Sequence, residues 1–254
     1  MSGNLVCDLD GVVYRGTDAV PESATALSAL EAAGWKIIFS TNNSARTPAE
    51  VSARIGSITG YAAKPDQVVT SALAAADLLS DTKPLTFVLG GVGVTAALED
   101  EDIPVTRVGS DAGAVVVGLA TGLTYDWLRE ASSAVMRGAR LVATNDDPTF
   151  PAEDGLWPGA GSILAAVERA SGVTAEVAGK PFPPMRSLIR KRLGPGPVWV
   201  VGDRADTDLA LAWAEPGWHA ALVLTGVATG EEMLQHPPDL VASDLAEVAR
   251  VLLG

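Results

Sequence analysis

The chain has 254 residues, 48% apolar and 19% charged, which is enough to bury the core of one large domain or two modest ones. Its 18 Lys and Arg stand against 31 Asp and Glu, and the formal net charge of -13 repels polyphosphate backbones, so nucleic acid is excluded as a general partner. The longest charge-free stretches, Pro84 to Leu98 and Pro216 to Gly230, are broken by Gly or Pro and fall short of the ~20 apolar residues of a spanning helix, so neither a membrane protein nor a membrane partner is expected.

Leu5 to Leu9 reads as a buried strand. Pro21 to Ala33 reads as a helix, with proline near its start and Gly34 after its end. Trp35 to Thr41 follows as a second strand, then a helix over Thr47 to Ile55 opened by Thr-Pro-Ala-Glu, then a helix over Ser71 to Leu79. A second series starts with the strand Leu85 to Leu89 and a helix ending near Glu101. It continues with strands Val105 to Val108 and Ala114 to Leu119, the helix Tyr125 to Gly138 and the strand Leu141 to Thr144. Helices over Ser162 to Ala170 and Pro184 to Leu193, strands Pro197 to Val201 and Ala220 to Leu224, and an amphipathic helix Leu245 to Leu253 complete the pattern. Such alternation predicts the α/β class with parallel strands. The first ten residues hold Asp8 and Asp10 with no basic residue ahead of them, so no secretory leader is expected, and the single Cys7 builds neither a disulfide framework nor a cysteine metal site. The expected compartment is the cytoplasm.

Ligands of parallel α/β sheets collect beyond the carboxyl ends of the strands, and three such ends carry reactive groups. The first runs into Asp8-Leu9-Asp10-Gly11, where two acids at period two would share a face if the strand stayed regular; a plain Asp-Gly turn with solvated acids is the alternative. The second ends in Ser40-Thr41-Asn42-Asn43-Ser44, suited to phosphate oxygens or to capping a turn. The third delivers Gly202-Asp203-Arg204 with Asp206 and Asp208 entering a helix, either an oxygen-ligand site for a hard cation or acids favoured at a helix start. Lys180, between Gly179 and Pro181, projects from a loop. Together these are the carboxylates, hydroxyl, amides and cation that phosphoryl transfer requires.

In this arrangement the sequence resembles the haloacid dehalogenase superfamily, whose four motifs stand in order as Asp8-Leu9-Asp10-Gly11, Ser40-Thr41-Asn42-Asn43, Gly179-Lys180-Pro181 and Val201-Gly202-Asp203-Arg204. The wider strings CDLDGVVYRG, FSTNNSART, ATNDDPTFP, PGAGSI, AGKPFP, VVGDRADTDLA and LVLTGV are similar to the NagD and nitrophenylphosphatase branch. The resemblance implies a Rossmann-like core over residues 1–80 and 176–254, interrupted by a large α/β cap over 81–175. It implies Asp8 as nucleophile, forming an aspartyl phosphate, and Asp10 as the acid that protonates the leaving alcohol and then activates water. Mg²⁺ would be held by Asp8, the Asp10 carbonyl and Asp203, with Asp208 ordering the metal shell. Thr41, the Asn42 amide, Asn43 and Lys180 would bind phosphoryl oxygens. Asn145, Asp147 and Phe150, in the cap loop 145–158, would contact substrate, a small phosphorylated metabolite, and a homodimer through the cap is consistent with the resemblance. The Phe150-Pro151 pair departs from relatives with histidine before this proline, so their aromatic phosphate substrates are not carried over.

The carried-over roles make physical sense. A carboxylate attacking an anionic phosphate meets like-charge repulsion that a divalent ion and an ammonium neutralise, and an all-oxygen ligand set suits Mg²⁺. Two other readings compete: a non-catalytic phosphate sensor on the same fold, and a dinucleotide-binding unit built on Gly91 and Gly93, which follow a strand, precede a helix and have Asp111 about twenty residues on. His219 and His236 are too few for a histidine metal site, and Cys7 reads as core.

Overall fold

The computed structural model describes residues 2–152, 155–228 and 236–254. They pack as two compact units, one of Met1–Thr41, Ala49–Val69 and Ile189–Gly254, the other of Asn42–Pro48 and Thr70–Leu188. Each is built on a largely parallel sheet flanked by helices, the α/β class expected.

In the first unit six strands lie in the order Leu240–Ala242, Trp218–Val223, Val198–Gly202, Asn4–Cys7, Lys36–Thr41, Val68–Thr70. Asn4–Cys7 is central and parallel to both neighbours, with Asn4 opposite Val198 and Lys36. Because the sheet is covered on both faces, Leu5, Val6 and Cys7 are all fully buried, which is why the segment reads as an unbroken apolar run. Leu27 and Leu30 of helix Ser23–Ala32 and Leu245 and Val248 of helix Leu245–Leu253 close one core with Leu5, Ile37 and Phe39.

In the second unit the order is Glu176–Val177, Arg140–Ala143, Ala114–Val117, Thr86–Leu89, Val105–Thr106, with parallel pairing throughout. Helices Tyr125–Met136 and Ala160–Ser171 pack Ala131, Val135, Leu164 and Val167 onto Phe87, Val115, Val117 and Leu141. The short segment 42–48 belongs to this unit because it is pinned there. Ser44 Oγ accepts from Thr144 Oγ1 at 3.0 Å and from Leu119 N at 3.4 Å, and Ala45 O accepts from Gly93 N at 3.3 Å.

This unit is larger than the 81–175 segment expected from the sequence. It gains helix Ser71–Leu79, which packs on helix Val92–Asp100, and strand Glu176–Val177, which extends the sheet beside Arg140–Ala143. Three edge strands, Val68–Thr70, Glu176–Val177 and Leu240–Ala242, and the hairpins Tyr14–Arg15 with Asp18–Ala19 and Thr149–Ala152 with Gly155–Pro158, have no counterpart among the sequence expectations. Segments of two to four residues are too short to display a period. The strand expected over Val105 to Val108 is confined to Val105–Thr106, and helix Pro183–Arg190 stops before Leu193.

Candidate active site

Asp8 directly follows the central strand of the first unit. Its N–H makes the last rung of the ladder, to Val201 O at 2.9 Å, before the chain turns. The N–H groups of Val12, Val13 and Tyr14 then fold back onto Leu9 O at 3.3, 2.9 and 3.2 Å, and Gly11 takes φ +85°, a left-handed conformation that favours glycine. The strand therefore ends at Cys7 rather than Leu9, and Asp8 and Asp10 do not share the face of a regular strand; Asp8 is half-buried and Asp10 exposed. Below them Tyr14 is 4% exposed, with Arg54 5.3 Å from its ring centre. Burial pushes the Tyr14 phenol up and the Asp10 charge pushes it further, while Arg54 opposes, so the ring stays neutral beside the acids.

Asp8 meets two acids from nearly two hundred residues away. Asp8, Asp203 and Asp208 each offer a carboxylate oxygen, and all three oxygens lie within 4.8 Å of one another. Asp203 follows the end of strand Val198–Gly202 and is 4% exposed; Asp208, in the π-helical turn Ala205–Leu209, is 2% exposed. Both are held from the main chain, since Val227 N donates to Asp203 Oδ2 at 2.7 Å and Arg204 N to Asp208 Oδ2 at 3.2 Å. Glycines make the room. A β-carbon at Gly11 or Gly226 would overlap the Asp203 carboxylate, and one at Gly202 would overlap Asp208. Three acids this close and this buried repel one another unless a cation shares them, and an all-oxygen donor set in a side-chain-free cradle fits a hard divalent ion. Asp206 is different: the Arg204 guanidinium beside it, at 2.8 Å, holds its carboxyl below the usual range.

The loop after strand Trp218–Val223, which the sequence offered only within the string LVLTGV and with no role, is a part of this cluster. Besides the Val227 bond, Thr225 Oγ1 donates to Gly11 O at 2.5 Å, tying the loop to the Asp8 turn. That strand was expected, so the strand-end rule that found Asp8 and Asp203 could have found Thr225, Gly226 and Val227 too. Thr41, the last residue of strand Lys36–Thr41, is 6% exposed and stands at the neighbouring strand end of the same sheet.

In the second unit, Asn42 and Lys180 come together. Lys180 N donates to Asn42 Oδ1 at 2.7 Å, and Asn42 Nδ2 donates to Lys180 O at 3.2 Å and to Asp147 Oδ2 at 3.0 Å. Asn145 Nδ2 donates to Asn42 O at 2.7 Å, and Asn145 Oδ1 accepts from Asp147 N at 3.1 Å. The side chains of Asn42 and Asn145 are thus engaged within the protein, each with partners in other loops. Asn43 Oδ1 likewise accepts from Ala45 N at 2.9 Å, closing a turn. Lys180 is 3% exposed and precedes a cis peptide bond to Pro181. Phe150 packs edge-to-face on Trp157, ring centres 6.3 Å apart, and Trp157 is 47% exposed.

A sequence profile of the haloacid dehalogenase-like hydrolases matches residues 5–104, and a HAD-hydrolase-like profile matches 177–248. The acid sugar phosphatase of Staphylococcus epidermidis is 36% identical over 244 residues, 94% of this chain and 93% of that protein. The chain belongs to the haloacid dehalogenase-like hydrolases. Two solved members of the family have the same fold over nearly the whole chain. The p-nitrophenyl phosphatase of Archaeoglobus fulgidus is 30% identical with a TM-score of 0.88 and covers 98% of each chain. The glycerol phosphate phosphatase of Mycobacterium tuberculosis, in complex with magnesium, is 33% identical with a TM-score of 0.87, over 98% of this chain and 78% of that one.

The strand, glycine turn and helix at residues 86–100 form as expected, but the dinucleotide reading fails on what the glycines face. A β-carbon at Gly93 would lie 2.6 Å from both Ser44 O and Arg46 O, and one at Gly91 3.3 Å from Ala45 Cα. The chain's own segment 44–46 fills the place where a pyrophosphate would approach this helix start. In this hydrolase the glycines serve packing. His219 stacks on Trp199 with ring centres 4.8 Å apart, and Cys7 is fully buried, as its reading as a core residue expects. Arg46 is exposed.

Proposed function

We propose that this haloacid dehalogenase-like hydrolase is a Mg²⁺-dependent phosphatase of a small phosphate monoester, working through an aspartyl phosphate on Asp8. The observation that carries the reading is the convergence of Asp8, Asp203 and Asp208 at the strand ends of one sheet. Asp8, the Asp10 carbonyl and Asp203 would hold the cation, with Asp208 ordering them. Bound there, Mg²⁺ supplies the positive charge that lets a carboxylate approach an anionic phosphate.

The Asp8 carboxylate attacks phosphorus; the bond from phosphorus to the ester oxygen breaks, and Asp10 gives its proton to the departing alcohol. Asp10, now a base, takes a proton from water as that water attacks phosphorus, the Asp8–phosphorus bond breaks, and inorganic phosphate leaves. The exposure of Asp10 suits a group that meets both an alcohol and water. Thr41 and Lys180 bind the phosphoryl oxygens. The inserted second unit acts as the cap and selects substrate, with Phe150 and Trp157 as its contacts. Relatives that act on sugar phosphates favour a sugar phosphate over glycerol 3-phosphate or 2-phosphoglycolate. Among the described residues no helix is long and apolar enough to cross a membrane.

The test is a phosphate-release screen over a panel of monoesters, with Mg²⁺ and with chelator, on the native chain and on Asp8→Asn. Release by the native chain that needs Mg²⁺ and falls at least about a thousandfold in the variant supports the reading. Release by neither, with phosphate esters still binding, would make the chain a sensor.

A further inference from the structure

We infer that Asn42 is a positioning residue: its side chain clamps the main chain on both sides of Lys180 and couples that lysine to Asp147 in the loop ahead of the 149–158 hairpin. The inference rests on the phosphatase reading, in which Lys180 binds the phosphoryl group.

A primary amide has two N–H donors and one carbonyl acceptor. Asn42 uses all of them at once: Oδ1 for Lys180 N at 2.7 Å, and Nδ2 for Lys180 O at 3.2 Å and Asp147 Oδ2 at 3.0 Å. The amide orientation is fixed by these partners. Turned over, it would set an N–H against the Lys180 N–H and an oxygen against two oxygens. Its main-chain oxygen also accepts from Asn145 Nδ2 and Ser71 Oγ, both at 2.7 Å. Three stretches far apart in sequence, around Ser71, Asn145 to Asp147 and Lys180, therefore meet on one residue. Gly179 is part of the fit, because a β-carbon there would lie 2.6 Å from Asn42 Oδ1 and 2.5 Å from Thr144 O.

No other side chain of this size meets the demand. Aspartate lacks both donors and would face Asp147 and Lys180 O with like charge, while alanine leaves the Lys180 N–H and C=O without this partner. The consequence is mechanical. Lysine has a long flexible stem, and clamping its backbone removes one source of misplacement at a group whose angstrom-scale position sets the rate. Because the same amide nitrogen binds Asp147, a shift of the loop around Asp147 is felt at Lys180.

The experiment compares native chain, Asn42→Ala, Asn42→Asp, Asp147→Asn and the double variant Asn42→Asp/Asp147→Asn. It measures kcat and KM on the best substrate of the screen, and hydrogen exchange of the Lys180 amide, which is read without turnover. Asn42→Ala is expected to lower kcat about tenfold or more while raising KM, and to speed Lys180 amide exchange. A loss of folded fraction alone would lower kcat and leave KM unchanged. Asp147→Asn keeps an acceptor oxygen, so exchange of the Lys180 amide is expected to stay native. The double variant exchanges the two side-chain types, so that the amide at position 147 can donate to the carboxylate at position 42, and it is expected to regain about tenfold over Asn42→Asp alone. Native rates and native exchange in Asn42→Ala would overturn the clamp, and a double variant no better than Asn42→Asp would overturn the coupling. If the native chain releases no phosphate, the phosphatase reading falls, and faster exchange in Asn42→Ala still supports the clamp while unchanged exchange overturns it.

Discussion

The two sheets are built alike and end differently. In the first unit the chain leaves its parallel strands at Asp8, Thr41 and Asp203, and the space beyond is kept open by Gly11, Gly202 and Gly226. In the second it leaves comparable strands at Gly90-Gly91, Gly118-Leu119 and Thr144-Asn145, and the space beyond is taken by residues 42–46 of the chain itself, held by Ser44 and Ala45. The same architecture gathers acids around room for a cation in one sheet and sets glycines against backbone in the other. The chemistry lies in the residues at the strand ends, not in the fold.

Substitutions can break this contrast or sharpen it. The largest effect belongs to Asp203→Asn, which removes a charge from the cation cluster while keeping the shape; kcat/KM at fixed Mg²⁺ is expected to fall about a hundredfold or more, with a higher Mg²⁺ concentration needed for half activation. Gly226→Ala comes next. Its β-carbon overlaps the Asp203 carboxylate, so Mg²⁺ activation should weaken about tenfold and stability should fall about 1–3 kcal/mol in denaturant titration. Gly93→Ala is its partner in the second unit: its β-carbon meets Ser44 O and Arg46 O at 2.6 Å, so stability should fall by a similar ~1–3 kcal/mol while the Mg²⁺ midpoint stays put. A shift of that midpoint as large as the one in Gly226→Ala would erase the distinction between the sheets.

The smallest effect is at the edge of the second sheet, where Arg140 Nε and a terminal nitrogen hold Glu176 at 2.6 and 2.8 Å. The Arg140 hydrogen bond holds the Glu176 carboxyl below the usual range. Its contribution is present above the ordinary glutamate pKa and lost as pH falls through the lowered value. Both side chains are more than a third exposed, so Glu176→Gln should cost only about 0.5 kcal/mol near pH 7 and nothing in strong acid, read from unfolding at the two pH values.

The sequence made Asp8 and Asp203 legible because each stands directly behind a run of apolar residues that can only be a buried strand. Lys180 was legible as a loop residue from its Gly and Pro neighbours. Asn42 was legible as a polar residue at a strand end, but its side-chain bond to a residue 138 positions away is one that no local pattern encodes. The bond from Asn145 to Asn42 O, 103 positions away, was hidden for the same reason. Thr225 to Val227 stood in the string LVLTGV but drew no role, because a Thr-Gly-Val turn carries no charge. The grouping of segment 42–48 with the second unit was not legible, because it rests on individual hydrogen bonds rather than on a periodic face.

The most direct test of the reaction centre is acid quenching of the native chain during turnover of its best substrate, followed by mass spectrometry of the peptide that contains Asp8. The expected result is a phosphoryl group on Asp8 that forms with Mg²⁺ and is missing from Asp8→Asn. Steady turnover with no phosphoryl group on Asp8, or with the group on another residue, would contradict it.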